Sequence, residues 1–500
     1  MKSHAAHPIL AALLLTVLAA TACASESDGQ KDTVTLAEKD SVGTVTEETT
    51  EETTVHYTDA LKTQDFGGVD FRIYTTNALV GMTLPTTINY ASETTGEVVN
   101  DTLFARDLWI SENYNVNMEY TVDTLSPRNL TTAILASDAA YDLIIHDLAE
   151  WTRNLADSNC IYPLNKIDTI RLDQPYWMPE LNEQLKIGGN LIYSSSAISP
   201  RFYGSVYVIL YNRDLAANLD LGDMYALVSD GGWTIDRMME YSRMAYADLN
   251  GDGKYDDNDR VGMFYEVLTP ESMVMGAGYH YVVNDNGQLK VMLEDEKLVT
   301  LMQRMAEFFG EDCCTWDNND PKYDVMKVLN AGNFLFYNPC TFNLADLRDL
   351  SCDYGILPMP KESEAQKLYY GYSQPWASAN PMIPITAVGD HLSMVGTLTD
   401  AMAAYGYDYL RPAVYENVIQ LKGTRDERSA EIIDLMFENV TYELTSILEF
   451  GKLDTKLSEY FTKDHGRTQL ASLYASLKSS VEKEVQKTVE KYAGLDDILD

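Results

Sequence analysis

The sequence predicts an α/β protein on three observations. Strand-like and helical stretches alternate near its start, the alternation resumes in a second region, and the last quarter is mostly helical. Period-two alternation marks half-buried strands, and apolar residues three and four apart mark helix faces. Val69-Asp-Phe-Arg-Ile-Tyr74 reads as a strand. Val99 to Asn113 sets Leu103, Leu108 and Ile110 among charges and predicts a helix. Val116-Asn-Met-Glu-Tyr120 is a second strand, Leu130 to Leu135 a helix, and Tyr141-Asp-Leu-Ile-Ile145 a buried strand. Strands separated by helices imply crossover units.

The second region repeats the pattern. Leu191-Ile-Tyr193 and Ser205 to Leu210 read as strands, and Trp233-Thr-Ile-Asp236 opens a helix with Thr234 as its N-cap. Phe334-Leu-Phe-Tyr337 and Tyr354-Gly-Ile-Leu357 are later strands, the second closed by Pro358. Amphipathic runs follow at Val395 to Tyr407, Ser429 to Phe437 and Leu470 to Tyr492. No internal repeat is evident.

The chain opens on a targeting pattern. Lys2 and His4 precede an apolar run from Ile9 to Ala20, well short of the roughly 20 residues that span a bilayer. Ala20, Thr21 and Ala22 then lead into Cys23. This resembles the lipobox of bacterial lipoproteins, with Ala20 where Leu is usual. The resemblance implies a signal peptide over residues 1–22, acylation of Cys23 by a palmitate-type chain, and an anchor on the extracytoplasmic face of the cell membrane. The plainer alternative is a secretory signal that contains a cysteine; either way the body is exported. Ala24 to His56 contains no Phe, Tyr or Trp and is rich in Ser, Thr, Asp and Glu. Such a stretch cannot bury enough apolar surface to offset its ordering entropy. Residues 23–65 are therefore expected to be an acidic tether, with folding from Phe66.

Composition narrows the function. The formal net charge of −39 comes from 37 basic against 76 acidic residues, which argues against nucleic acid and anionic lipid as partners. A hydrophobic fraction of 45% fits a globular body, and 500 residues suffice for two or three domains. Beyond Cys23, the cysteines Cys160, Cys313, Cys314, Cys340 and Cys352 are odd in number and form no C-x-x-C pair. Buried thiols are expected.

Several segments share one resemblance. Leu210-Tyr-Asn-Arg-Asp-Leu215 followed by Trp233-Thr-Ile-Asp236 is similar to a signature of the family 1 extracellular solute-binding proteins of ABC transporters. Gly96-Glu-Val-Val-Asn-Asp101 with Arg106 and Tyr114-Asn-Val116, Asp353-Tyr-Gly-Ile-Leu-Pro-Met-Pro-Lys361, and Gly423-Thr-Arg-Asp-Glu427 match in the family's order. Together they cover about residues 66 to 450. The resemblance implies a two-lobed periplasmic-binding-protein-like fold with hinge crossings and a helical C-terminal region. The crossings would fall near Ser194–Ser205 and Tyr372–Pro384. The first lobe would hold residues 66–192 and about 382–437, the second 193–381 and about 438–500. It implies a sugar or oligosaccharide ligand, a monomer, and ABC permease subunits as partners.

One motif stands apart. In Asp248-Leu-Asn-Gly-Asp-Gly-Lys-Tyr-Asp-Asp-Asn-Asp259, oxygen side chains fall at loop positions 1, 3, 5, 9 and 12, with Gly253 at position 6. Calcium takes six to eight oxygens, and the glycine permits the turn that aims them inward. The expected ligands of this structural calcium are Asp248, Asn250, Asp252, the carbonyl of Lys254, Asp256 and Asp259. Position 12 is Asp, as in dockerin-type loops; a metal-free Asp/Gly-rich turn is the alternative.

Sugars bind to flat aromatic faces with a few polar groups fixing hydroxyls. With 33 Tyr and 6 Trp the supply is ample, and most must be core. Residues beside strand ends or crossings are the better candidates: Asn77, Asp147, Trp151, Arg201, Tyr203, Tyr337, Asn338, Tyr372, Gln374 and Trp376. Trp233 belongs to a helix start and to packing. H-E-x-x-H, G-x-S-x-G, G-x-x-x-x-G-K-[ST] and G-x-G-x-x-G are all absent, so no catalytic site is expected. The reading is a non-enzymatic capture protein. An exported polysaccharide-acting enzyme, and a binding or sensing protein for peptides or other solutes, are the alternatives.

Overall fold

In the computed structural model the described residues are 56–77, 86–122, 125–136, 139–253, 256–316, 324–420 and 424–495. The leader, Cys23, the tether to residue 55, and Lys254 lie outside them. The described chain begins as a helical turn, Tyr57–Ala60. Asp408 holds it, accepting from the backbone N–H of Tyr57 at 3.0 Å and from the N–H and Oγ1 of Thr58, both at 2.8 Å. Ordered packing thus starts ahead of Phe66, and the expected tether of 23–65 is too long at its end. The local acidic composition gave no hint of a carboxylate waiting far along the chain.

The first sheet starts with β1 (Val69–Thr75), β2 (Val116–Val122) and β3 (Leu143–Asp147), with β1 parallel to both others. The helix Val98–Tyr114 makes the first crossover. The Glu97 carboxylate caps it by accepting from the N–H groups of Val99 and Asn100, and Asn115 ends it at φ 49°. Asn tolerates that left-handed conformation better than most residues. Every residue of β3 is buried, as its apolar run requires.

The second sheet contains β4 (Ile209–Asn212) and β5 (Val261–Tyr265). A hairpin of β6 (Val282–Asp285) and β7 (Gln288–Val291) stands outside it, and β8 (Cys314–Trp316), β9 (Phe334–Tyr337) and β10 (Tyr354–Leu357) complete it. The order is β10-β4-β9-β5-β8, with β4 antiparallel to its neighbours. After β11 (Gly371–Tyr372) the chain returns to the first sheet as β12 (Ala379–Met382), antiparallel on β3, and β13 (Val440–Thr441) later pairs parallel with β11. The first sheet is thus β12-β3-β1-β2. Two sheets, each with its helices, make the two-lobed α/β fold that the sequence predicts.

Differences lie at the boundaries. Leu191-Ile-Tyr193 forms no strand, and Val206 and Tyr207 make single bridges to Ser373 and Cys340 ahead of β4. These stretches belong to the crossing and spend their backbone bonds on it. The first lobe does not extend to 437. The helix Arg411–Val414 packs on Val98–Tyr114, whereas Glu427–Glu438 packs on β10 and β11 of the other side. The chain has therefore changed lobes before Glu427, because the apolar face of that helix fits the second sheet.

The resemblance motifs have structural work. Arg106, fully buried, bonds Asp107 at 2.9 Å and donates to the carbonyls of Ile198 and Asn89 at 2.9 and 3.2 Å. It pins the loop after β1 to the first crossing. Trp233 is fully buried and donates from Nε1 to the carbonyl of Pro358 at 2.8 Å. Thr234 caps the helix Ile235–Ala245, and Asp426 caps Glu427–Glu438 while pairing with Arg213. A Cβ on Gly406 would lie 1.9 Å from the carbonyl oxygen of Ala197, so only glycine lets the first crossing lie so close. The thiols of Cys160, Cys313, Cys314, Cys340 and Cys352 are free and buried. Among the described residues no helix is long and apolar enough to cross a membrane.

Candidate functional site

Beyond the carboxyl ends of parallel strands, side chains are released from the ladder and ligand crevices form there. At the first sheet these ends are Thr76-Asn77 and His146-Asp147. Asn77 is occupied within its own loop: it donates to the carbonyl of Tyr90 at 2.8 Å and accepts from the N–H groups of Asn89 and Tyr90. Asp147 accepts from the N–H groups of Ala149 and Trp151 and stands 2.9 Å from Nδ1 of His146. It thereby organises the start of the helix Glu150–Asp157. Trp151, on that helix, stacks on His146 at 3.9 Å and on Tyr74 at 5.5 Å, and remains partly exposed.

The crossings lie beside this group. The N–H of Leu148 donates to the carbonyls of Pro375 and Ser378 at 3.1 and 3.3 Å, which brings the end of β3 to the segment carrying Trp376. Arg201, buried in the first crossing, donates from Nε to the carbonyl of Ala377 and from Nη2 to that of Trp376, at 2.9 and 3.0 Å. The hydroxyls of Ser205 and Ser373 meet at 2.7 Å, and Gln374 accepts from the Cys340 thiol at 3.4 Å. The Arg201 side chain, and the Gln374 backbone N–H that donates to the carbonyl of Ser205 at 2.9 Å, thus join the crossings to one another, and Trp376 keeps a partly exposed ring.

The second sheet presents a polar and aromatic group at its own strand ends. Glu266, just past β5, lies 3.3 Å from the Tyr207 hydroxyl and 3.2 Å from that of Tyr337, both of which donate to it. Burial pushes its carboxyl up to about 7, against the pull of these donors. Tyr207 stacks on Tyr372 at 5.9 Å, and Tyr372 donates to Glu271, which also accepts from Ser446 at 2.6 Å. Burial first, and then the charge of Glu443, push Glu271 up to about 8. Asn338 is fully buried, donating to the carbonyl of Val208 and accepting from Ser272. Its bonds lie inside the fold.

The ten expected residues therefore divide. Trp151 and Trp376 offer rings near one another's segments, and Tyr337 joins a carboxylate–hydroxyl cluster. Asn77, Asp147, Arg201, Asn338, Tyr372 and Gln374 hold backbone or partner groups in place. Tyr203 lines a separate cavity beside β13. Sequence reasoning did not find Glu266, Glu271 or Tyr207. The signal for Glu266 was present, since Val261-Gly-Met-Phe-Tyr265 is an apolar run ending in a carboxylate.

The loop 248–259 is closed by a bridge between Ala247 and Arg260. Asp248 accepts from the N–H groups of Gly251 and Gly253, Asn250 from that of Asp252, and Asp256 from that of Asn258. Asp259, fully buried, accepts from Leu249 and Asp256. The side chains of Asp248, Asn250, Asp256 and Asp259 thus order the loop's own backbone. Among the described residues no group of three or more His, Cys, Asp or Glu is gathered to hold a metal ion.

By sequence the chain matches no protein-family model and no curated protein. By structure it is similar to the sugar-binding protein MalE from Xanthomonas citri, at a TM-score of 0.57 and 12% identity over 84% of this chain and 98% of that one. The GacH receptor of Streptomyces glaucescens, solved unliganded and with acarbose, superposes at 0.52 and 12% identity over 84% and 99%. An ABC substrate-binding protein of Listeria monocytogenes in complex with cycloalternan gives 0.51 and 10% over 84% and 99%. The chain has the two-lobed fold of the sugar-binding proteins of ABC transporters.

Proposed function

We propose that this chain is an extracytoplasmic lipoprotein that captures a sugar or oligosaccharide and delivers it to the permease subunits of an ABC importer. The observation that carries the reading is what each sheet presents at its strand ends and at the crossings beside them. Partly exposed Trp151 and Trp376 supply flat faces, and Glu266 between two tyrosine hydroxyls supplies a polar centre. Aromatic faces suit the C–H patches of pyranose rings, and carboxylates accept from their hydroxyls. Lobes joined by short crossings close over a ligand by hinge motion. Structural neighbours solved with acarbose and cycloalternan support an oligosaccharide as the ligand class.

Cys23 fits as the acylated anchor, and the acidic stretch behind it as the tether that keeps the capture domain near its permease. The loop 248–259 is read as a structural calcium site. Its oxygen spacing supports this, and a carboxylate oxygen that accepts one N–H keeps a second lone pair for a cation.

Titration of intrinsic tryptophan fluorescence with maltotriose, cyclic and branched glucans, and peptides tests the capture reading, with product release measured in parallel. Saturable binding of a glucan without turnover is expected. Repeated turnover of any glycan, or response to peptides alone, would overturn it.

A further inference from the structure

A cavity of about 1020 Å³ lies beside β13, and none of Trp151, Glu266, Tyr337 or Trp376 lines it. Its walls come from both lobes. The helix Pro179–Leu185 and the Tyr407–Tyr415 stretch stand on one side, with β6 and the end of Glu427–Glu438 on the other. Its floor is aromatic. Phe437 packs against Phe202, Tyr203 and Tyr415, with ring centroids 5.8, 5.9 and 5.2 Å away. Its rim is acidic, with the exposed carboxylates of Asp173, Glu180, Asp434 and Glu438. Arg411, also on the rim, is spread over the rings of Tyr407 and Tyr415.

A second observation points to a ligand. Tyr203 is only 3% exposed, and its hydroxyl has no hydrogen-bond partner among the described residues. A buried hydroxyl left unpaired forgoes its hydration without recompense, so native folds seldom keep one without a use. The Tyr203 side chain lines a cavity large enough for a small molecule. Four carboxylates against one guanidinium favour a cation, and π faces add attraction for ammonium groups. An apolar floor below an acidic rim suits a molecule that alternates methylenes with ammonium groups.

We propose that this cavity binds a small organic polycation of the polyamine class, with ammonium groups on the rim carboxylates, methylenes on the aromatic floor and the Tyr203 hydroxyl accepting from an ammonium. This site is separate from the one at the strand ends and does not depend on the sugar reading.

Spermidine is the probe, titrated calorimetrically into the full chain in 0.15 M NaCl, where diffuse surface attraction is largely screened. Saturable binding at one site per chain is expected. Glu180→Gln with Glu438→Gln should weaken it at least fivefold; both carboxylates are exposed, so the fold should stand. Tyr203→Phe should weaken it several-fold without lowering the melting temperature, because the lost hydroxyl has no protein partner. Trp376→Ala should leave it unchanged. Absence of saturable binding, or binding that survives the double variant, would overturn the proposal. So would loss on Trp376→Ala, which would place spermidine at the strand ends.

Discussion

Arg201 and Ala377 are joined across two crossings by a 2.9 Å bond from the guanidinium Nε to the carbonyl oxygen. A second bond from the same side chain reaches the carbonyl of Trp376 at 3.0 Å. Removing the guanidinium strands two carbonyls in a dry setting. Arg201→Met is therefore expected to cost about 3 kcal/mol of stability in urea titration. It should also weaken sugar binding, because the segment that carries Trp376 loses its anchor. Unchanged stability would mean that the crossings are held elsewhere.

Trp376→Ala removes a partly exposed ring and should leave the melting curve close to that of the parent. The expected loss of glucan affinity is about tenfold or more, equivalent to about 1.4 kcal/mol. Glu266 adds a pH signature. Its carboxyl is raised to about 7 by burial, so it would accept from the hydroxyls of the proposed sugar with full charge only above neutrality. Affinity should fall as pH drops from 8 to 6, and Glu266→Gln should flatten that profile.

Glu271 predicts the pH dependence of stability. Its folded value is raised to about 8 from an ordinary 4.5, by burial and then by Glu443. A carboxyl raised in the fold binds more protons there than in the unfolded chain. Its contribution is complete below pH 4.5 and is lost as pH rises through about 8. Glu271→Gln keeps an acceptor for Tyr372 and Ser446 and carries no charge. It should match the parent near pH 5 and melt about 2–5 °C higher at pH 8.5. A difference that is equal at both pH values would sink this account.

Asp408 accepts three hydrogen bonds from Tyr57 and Thr58 and fixes the point where the chain enters the fold. Asp408→Ala should release the turn Tyr57–Ala60. The measurement is limited proteolysis with mass spectrometry, in which new cleavage between residues 57 and 66 is expected while the core resists.

Calcium binding to the loop 248–259 should raise the melting temperature by a few degrees over a chelated sample. Asp259→Asn should abolish that difference. Equal melting with calcium and with chelator would remove the metal from the account.

Legibility in the sequence followed the range of the forces involved. β1, β2, β3, β9 and β10 were readable from local alternation or from apolar runs. So were the helices Val98–Tyr114, Glu427–Glu438 and Leu470–Ala493. β8 and β12 were not, since a three-residue strand and a strand containing Pro381 carry almost no periodic signal. The candidate site was legible only as a set of strand ends. Trp151 and Tyr337 could be named because they follow recognisable strands. Glu266 follows a five-residue apolar run that carries no alternation, and Tyr207 gains its role from a partner 59 residues away.

The sequence by itself determined the α/β class, the order of most elements and the acidic character of the chain, because periodicity, caps and composition act over a few residues. The tertiary structure alone decided which polar groups are spent inside the fold. Asn338, Arg201 and Asn77 looked free on a strand end or crossing, and each is committed to backbone groups. It also decided that Glu266 and Glu271 hold raised carboxyls and that Tyr203 lines a cavity while its hydroxyl has no partner among the described residues. These are consequences of desolvation and of partners distant in sequence, and neither is set until the chain has closed on itself.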